Sequence, residues 1–120
     1  MKKILLLLMN LFVGLSMFAQ GVSFQELSLA KALEKAKGEN KYVFVDCYAT
    51  WCGPCKMMAS QVLAQKKVGD YMNDKFVSVK IDMEKGEGPD VQKRYGVKAY
   101  PTFLIIQPDG SLIHQVVGYN

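Results

Sequence analysis

The 120-residue sequence predicts an α/β domain with a mixed central β-sheet. Two apolar stretches of strand character, Tyr42–Tyr48 and Phe76–Asp82, are separated by helical patterns, as in a βαβ unit. Two further strands, residues 102–107 and 111–117, flank the turn Pro108-Asp109-Gly110 and predict a hairpin. Because a βαβ unit pairs strands in parallel and a hairpin pairs them antiparallel, one sheet should contain both directions.

Helices are predicted where apolar residues recur at intervals of three and four. The predicted helices span residues 29–37, 55–60, 65–73 and 89–95. Ser28 is a suitable N-cap for the first helix, and Gly38 is suited to its C′ position. The second and third segments are either one kinked helix or two, and Val62-Leu63 is a candidate break.

The N-terminus has the pattern of an export signal. Lys2 and Lys3 form a basic start, and residues 4–15 form an apolar run that is too short to span a bilayer comfortably. Residues 1–19 are therefore predicted to be a signal peptide, with cleavage after Ala19 or after Gly21. The alternative is an uncleaved membrane anchor.

The remaining chain is predicted to form one domain, residues 22–120, with no repeat or linker. The whole sequence has 15 basic and 11 acidic residues and a formal net charge of +4. Because Lys2 and Lys3 lie in the predicted signal peptide, the rest has 13 basic against 11 acidic residues, a net charge of +2. Such a small excess gives no indication of nucleic-acid or membrane-surface binding.

Two cysteines three residues apart lie where the first strand gives way to a helix, in Ala49-Thr50-Trp51-Cys52-Gly53-Pro54-Cys55-Lys56. Pro54 suits the first turn of a helix, which places Cys52 at or beside the N-cap. Free backbone N–H groups and the helix dipole then favour the Cys52 thiolate and lower its pKa below about 8.5. Cys55 lies one turn further on, within disulfide reach but shielded. Cys52 should therefore attack a disulfide and Cys55 should resolve the product.

The segment Trp51-Cys52-Gly53-Pro54-Cys55-Lys56 resembles the active-site motif of the thioredoxin family. Asp46, six residues before Cys52, stands where thioredoxins carry a buried acid. Residues 95–102 resemble the family's segment leading into a cis-proline, and Val117-Gly118 resembles the end of its last strand. The resemblance covers residues 29–119 and implies a thioredoxin-like fold whose central sheet is flanked by helices.

The resemblance also implies roles for particular residues. Cys52 and Cys55 would be the catalytic pair, cycling between a dithiol and a redox-active disulfide, with no other cofactor and no metal. Asp46 would accept the proton of Cys55 directly or through water; the alternative is a strand-end acid that makes a local cap. The residues expected to bind substrate are Trp51, Gly53, Pro54, Tyr100, Pro101 and Gly118, with a cis Tyr100–Pro101 bond.

Three residues outside the motif call for separate interpretation. Cys47 makes the cysteine number odd and is expected to be a small buried hydrophobe. His114 has no cysteine or carboxylate at ligand spacing and is expected to be a solvated edge residue. Thioredoxins often place a lysine near the buried acid, but Ser78 occupies the position that we assign to it. Whether Lys80, two residues further on, acts on Asp46 stays open.

The family usually ends in a helix that packs on the sheet, whereas this sequence stops at Tyr119-Asn120. The C-terminal helix is therefore expected to be missing. Either the sequence is truncated, which we favour, or one face of the sheet is partly uncovered, which would promote association.

Three function classes remain. The first is an exported, extracytoplasmic or periplasmic, protein-disulfide reductase or interchange protein. It would be monomeric, would act on disulfide-containing proteins and would exchange electrons with a membrane or soluble donor or acceptor. The second is a disulfide oxidase or isomerase of the same fold. The third is a non-catalytic zinc or scaffold module, which is disfavoured because no second ligand pair is suitably spaced.

Overall fold

The structure is a computed structural model and describes residues 20–118. The predicted signal peptide, residues 1–19, therefore lies outside the described residues, as do residues 119–120. The helices are α1 (Leu29–Glu39), α2 (Gly53–Met58, continued by a π-helical turn over Ala59–Leu63), α3 (Lys66–Lys75) and α4 (Gly88–Tyr95). The strands are β1 (Tyr42–Tyr48), β2 (Phe76–Asp82), β3 (Thr102–Ile106) and β4 (Leu112–Val117).

The four strands form one sheet in the order β2-β1-β3-β4. β1 pairs in parallel with β2, while β3 is antiparallel to both β1 and β4. The predicted mixed sheet is therefore confirmed. β1 lies in the middle of the sheet, so the segment that follows it begins at the centre of the domain.

Helices cover both faces of this sheet. On one face, Ala32 and Ala36 of α1 pack with Val45 and Leu104 in the larger apolar cluster. On the other face, α2 and its π-helical extension pack over the aromatic residues of β1 and β3, with the stacked rings of Phe44 and Phe103 centred 5.6 Å apart. Burying both sheet faces fixes the register of the strands, because a shift by one residue would exchange the two sets of side chains.

Two helix boundaries differ from the sequence prediction. Ser28 caps α1 as expected, and its hydroxyl accepts a hydrogen bond from the Lys31 amide at 3.2 Å. Gly38, however, lies inside α1, and Asn40 takes the left-handed conformation that ends it, with φ of 55°. Asparagine tolerates this conformation better than most residues do. The segments after Cys55 form two helices, which are separated at Ala64 and Gln65.

The segment before α1 runs along the domain rather than away from it. The Val22 amide donates to the Leu63 carbonyl and the Gln25 amide to the Ser78 carbonyl, both at 2.8 Å. The close approach of this segment to α3 is made at Gly69, where an added Cβ would collide with the backbone of Gly21. Among residues 20–118, no helix is both long and apolar enough to cross a membrane.

β4 is an edge strand, and much of its apolar surface is exposed. The exposed side chains include Leu112, Ile113, Val116 and Val117. Within residues 20–118 no helix follows β4. This part of the sheet is therefore open in the described residues.

Candidate active site

The cysteine pair lies at the start of α2, directly after β1. Cys52 is the N-cap, Pro54 lies in the first turn as predicted, and Cys52 and Cys55 form a disulfide with their Cα atoms 5.3 Å apart. The Cys52 Sγ accepts a hydrogen bond from the Cys55 amide at 3.1 Å. A sulfur that receives an N–H group at a helix N-terminus is stabilised as thiolate once the disulfide is reduced.

The predicted difference in exposure between the two cysteines is not seen in the disulfide. Cys52 is 3% exposed and Cys55 is 7% exposed, so both residues are buried. In this oxidised state each sulfur is covered by its bond to the other and by the neighbouring residues Ala49, Tyr48 and Tyr100. The asymmetry that the structure does contain is one of hydrogen bonding, because the amide donor is directed at Cys52.

Asp46 lies on β1 and is buried in the sheet, with 2% of its surface exposed. Its Oδ1 atom has no hydrogen-bond partner among the described residues. Burial raises the pKa of Asp46 from 3.8 to about 6, and the positive charge of Lys80 opposes this rise. A cleft of about 200 Å³ is lined by Asp46, Cys55, Lys56 and Lys80, among others, and places the carboxyl and the second cysteine on one connected space.

The strand register corrects the assignment of Ser78 as the residue opposite the acid. In the parallel pairing of β1 with β2, Asp46 is opposite Lys80, whereas Ser78 is opposite Phe44. The sequence assignment was wrong because it placed β2 two residues out of register with β1. Lys80 is thus the cation that acts on Asp46, and this answers the question that the sequence left open.

Trp51 lies beside the pair and is 66% exposed. Its indole Nε1 donates a hydrogen bond to Glu84 Oε1 at 2.8 Å, and its ring centre is 5.9 Å from that of Tyr100. The Tyr100 hydroxyl in turn accepts from Gln92 Nε2 at 3.1 Å. Sequence reasoning identified Trp51 and Tyr100 but missed Glu84 and Gln92, because neither lies in a motif.

The Tyr100–Pro101 bond is cis, as predicted. Pro101 is buried, and its carbonyl accepts a hydrogen bond from the Gly118 amide at 2.9 Å, which ties the end of β4 to this segment. None of the backbone hydrogen bonds described outside helices and strands uses the Tyr100 amide or carbonyl. Gly53 is exposed, and an added Cβ there would meet nothing within 4 Å.

The remaining candidates take no visible part in the site. Cys47 is buried and free, and burial together with the nearby Asp46 raises the pKa of its thiol to about 12. His114 is exposed on β4. Among residues 20–118 no group of three or more His, Cys, Asp or Glu side chains could hold a metal ion.

These features define a class of protein: an α/β domain whose central strand delivers a Cys-x-x-Cys disulfide to a helix N-terminus, with a buried acid behind it. The family model for thioredoxin matches residues 22–120, and the chain belongs to the thioredoxin family. The domain is a thioredoxin-family thiol-disulfide oxidoreductase with a Cys52–Cys55 pair.

Individual relatives agree with this placement. Thioredoxin-2 of Pyricularia oryzae is 36% identical over 107 residues, which are 89% of this chain and 58% of the fungal protein. The solution structure of a candidate disulphide-isomerase from Bacteroides thetaiotaomicron is 49% identical, with a TM-score of 0.76, and the match covers 85% of this chain and 84% of that one. The oxidised C-terminal domain of DsbD from Neisseria meningitidis is 26% identical, with a TM-score of 0.63 and coverage of 82% and 88%.

The chain spans less than two thirds of the length of two curated thioredoxins that it matches, at 58% and 59%. The match to these relatives is therefore that of a domain and not of the whole protein.

Proposed function

We propose that this protein is an exported protein-disulfide reductase or interchange protein that uses the Cys52-Gly53-Pro54-Cys55 dithiol. The observation that carries the proposal is the buried Asp46 carboxyl, whose Oδ1 has no partner among the described residues, in a cleft that Cys55 also lines, behind a Cys52 sulfur that receives an amide hydrogen bond. This arrangement supplies an activated nucleophile and a proton acceptor for the resolving thiol.

Reduction of a partner disulfide needs two sulfur exchanges. The Cys52 thiolate attacks one sulfur of the partner, the partner's S–S bond breaks, and its other sulfur leaves as a thiolate that takes a proton. The Cys55 thiol then gives its proton to Asp46 and attacks the Cys52 sulfur. The mixed disulfide breaks, the partner's second thiolate leaves, and two electrons have passed from the dithiol to the partner.

Asp46 suits the second exchange because its pKa of about 6 leaves it mostly ionised near neutral pH, yet basic enough to accept a proton. A normal aspartate with a pKa of 3.8 would be a much weaker base. Burial raises the pKa of Asp46, while the positive charge of Lys80 limits this rise. The proposed role of Asp46 therefore depends on its position inside the sheet.

The substrate would dock on the exposed surface around the pair. Trp51, which Glu84 and Tyr100 hold in place, offers an apolar face, and the Tyr100 backbone offers an amide and a carbonyl to an extended segment. The other proposed docking residues are Gly53, Pro54, Pro101 and Gly118.

A disulfide isomerase or oxidase is the second candidate. It is favoured by the likeness to the candidate disulphide-isomerase at 49% identity. A reductase in an oxidising compartment needs a partner that re-reduces its disulfide, whereas an oxidase or isomerase does not depend on such a donor. Measuring the reduction potential separates the two, because a value well above about −180 mV would exclude the reductase role.

The activity test is reduction of insulin disulfides by the purified protein with dithiothreitol as electron source. We expect turnover by the natural protein, none by Cys52→Ser, and accumulation of a mixed disulfide on Cys52 in Cys55→Ala. Cys47→Ser is the matched control, because it removes the third thiol and should leave turnover unchanged. Equal turnover by Cys52→Ser and the natural protein would refute the catalytic proposal.

Export is supported by the basic start and apolar run of residues 1–19 and is tested separately. The full chain with a C-terminal tag should be recovered outside the cytoplasm, with a new N-terminus at residue 20 or 22 by mass spectrometry. Recovery of the intact N-terminus in the cytoplasmic fraction would refute export without affecting the redox proposal.

A further inference from the structure

Lys80, the cation opposite Asp46, is held between two aromatic rings. Its Nζ lies 5.1 Å from the centre of the Tyr48 ring and 5.5 Å from the centre of the Phe24 ring. An ammonium within about 6 Å of a ring centre is attracted to the face of that ring. Among residues 20–118, Lys80 makes no salt bridge within 4.0 Å, so these rings are its described partners.

The two rings reach Lys80 from different parts of the chain. Tyr48 follows Asp46 by two residues on β1 and shares its face of the sheet. Phe24 lies in the segment before α1 and forms a parallel bridge with Ser78, two residues before Lys80 on the same face of β2. The Phe24 ring also contacts Phe44, with centres 6.3 Å apart. The backbone thus fixes Phe24 beside Lys80.

We infer that Phe24 and Tyr48 are positioning residues: their rings hold the Lys80 ammonium at the cleft that leads to Asp46. The functional consequence of this inference rests on the proposed role of Asp46 as proton acceptor, whereas the geometry of the inference does not. Without the rings, the flexible lysine side chain would spend more time in solvent, and Asp46 would lose part of its compensating charge.

Other charged groups line the spaces beside the Lys80 ammonium. Glu26 and Glu87 line the space on the outer side of Lys80, together with Phe24 and Tyr48. On the inner side, Lys56 lines the cleft with Asp46. The Tyr48 hydroxyl and the Cys47 thiol are two further ionisable groups that interact with Asp46, and Asp82 also acts on Tyr48. If the rings are removed, Glu26 and Glu87 are the groups to which the ammonium would move, away from Asp46.

The experiment is a carbon-13 NMR titration of the Asp46 carboxyl in the oxidised protein, where the active-site thiols do not titrate. Each ring interaction is worth about 0.5–1 kcal/mol at an exposed site. Its loss should therefore lower the ratio of ring-bound to free Lys80 side chain about 2- to 5-fold. We expect Phe24→Leu and Tyr48→Leu each to raise the pKa of Asp46 by about 0.3.

Matched controls separate the ring from its bulk. Phe24→Tyr and Tyr48→Phe keep a ring and should leave the pKa of Asp46 as in the natural protein. Tyr71→Leu removes a ring that lies 5.2 Å from Lys75 Nζ outside the site, and should also have no effect. In a Lys80→Met background, Phe24→Leu should produce no further change, because its effect passes through the ammonium.

Two results would overturn the inference: an unchanged pKa of Asp46 in both leucine variants, or an equal rise in the Lys80→Met background, which would mean that the rings do not act through the ammonium. If Phe24→Leu does not fold, Tyr48→Leu with its phenylalanine control decides. If the pKa of Asp46 rises but the acid limb of the pH profile of insulin reduction does not shift upward, the positioning by the rings is confirmed. The same result would refute the proton-accepting role of Asp46.

Discussion

The buried acid should make the domain less stable as pH rises, and Asp46→Asn should remove this dependence. Because the pKa of Asp46 is higher in the folded protein than in the unfolded chain, the folded state holds the proton more tightly. Its stabilising contribution is complete below the unfolded value of 3.8 and is lost as pH rises through the folded value of about 6.

The size of the effect follows from the two pKa values. A rise from 3.8 to about 6 corresponds to a loss of about 3 kcal/mol of unfolding free energy at pH 8, since one pKa unit is worth about 1.4 kcal/mol. The asparagine of the variant would bury an amide in place of a carboxyl with one unpartnered oxygen, which adds a cost that does not vary with pH. The pH-dependent part of the difference is therefore the quantity to measure.

The assay is urea unfolding of the oxidised natural protein and of Asp46→Asn at intervals from about pH 4 to pH 8. We expect the variant to gain stability over the natural protein by about 2–3 kcal/mol across this range, mostly below about pH 6.5. Asp74→Asn, at an exposed position on α3, is the control and should show no such gain. A difference between Asp46→Asn and the natural protein that stays constant with pH would refute the account of the buried carboxyl.

Three further predictions concern the packing and capping of the domain and use urea unfolding of the oxidised protein. Gly69→Ala should destabilise the domain by about 1–3 kcal/mol because the added Cβ would collide with the Gly21 backbone. Gly38→Ala, with open space around it inside α1, should stabilise the domain by up to about 1 kcal/mol. Similar effects of both substitutions would refute the close packing at Gly69. Cys47→Ser should cost about 1–3 kcal/mol by burying a hydroxyl, and full stability would show that the hydroxyl finds a partner. Ser28→Ala should cost about 1 kcal/mol through loss of the α1 cap, and an unchanged urea midpoint would contradict the role of the Ser28–Lys31 hydrogen bond.

Local sequence signals predict most of the fold and the centre of the site. The strand before the motif, the Gly-Pro pair and the cysteine spacing are neighbours in the chain, so they place Cys52 correctly at the N-cap of α2. The cis Tyr100–Pro101 bond follows from family resemblance over a short segment. The placement of Cys52 depends on backbone preferences within a few residues, whereas the cis bond is predicted from the resemblance alone.

Features that depend on pairing between distant segments are missed or misplaced by the sequence. The register of β1 with β2 decides that Lys80 rather than Ser78 faces Asp46, and no local pattern records that register. The hydrogen bond from Trp51 to Glu84 spans 33 residues, so its acceptor carries no motif. Glycine is the commoner residue at a helix end, which favours Gly38 over Asn40 in the sequence, yet the helix continues through Gly38.

The close packing of Gly21 affects whether signal-peptide cleavage must precede folding in the proposed export. Gly21 is buried against Leu63, Ala64 and Gly69, and the amide of Val22 is already bonded to the Leu63 carbonyl. A processing peptidase needs its target in an extended, accessible form, so a cut between Gly21 and Val22 would have to precede folding. Gln20 is exposed, and cleavage just before it would leave the packing of Gly21 in the folded domain intact. Cleavage after Gly21 would thus be restricted to the unfolded chain, whereas the exposed position of Gln20 sets no such limit on cleavage before it.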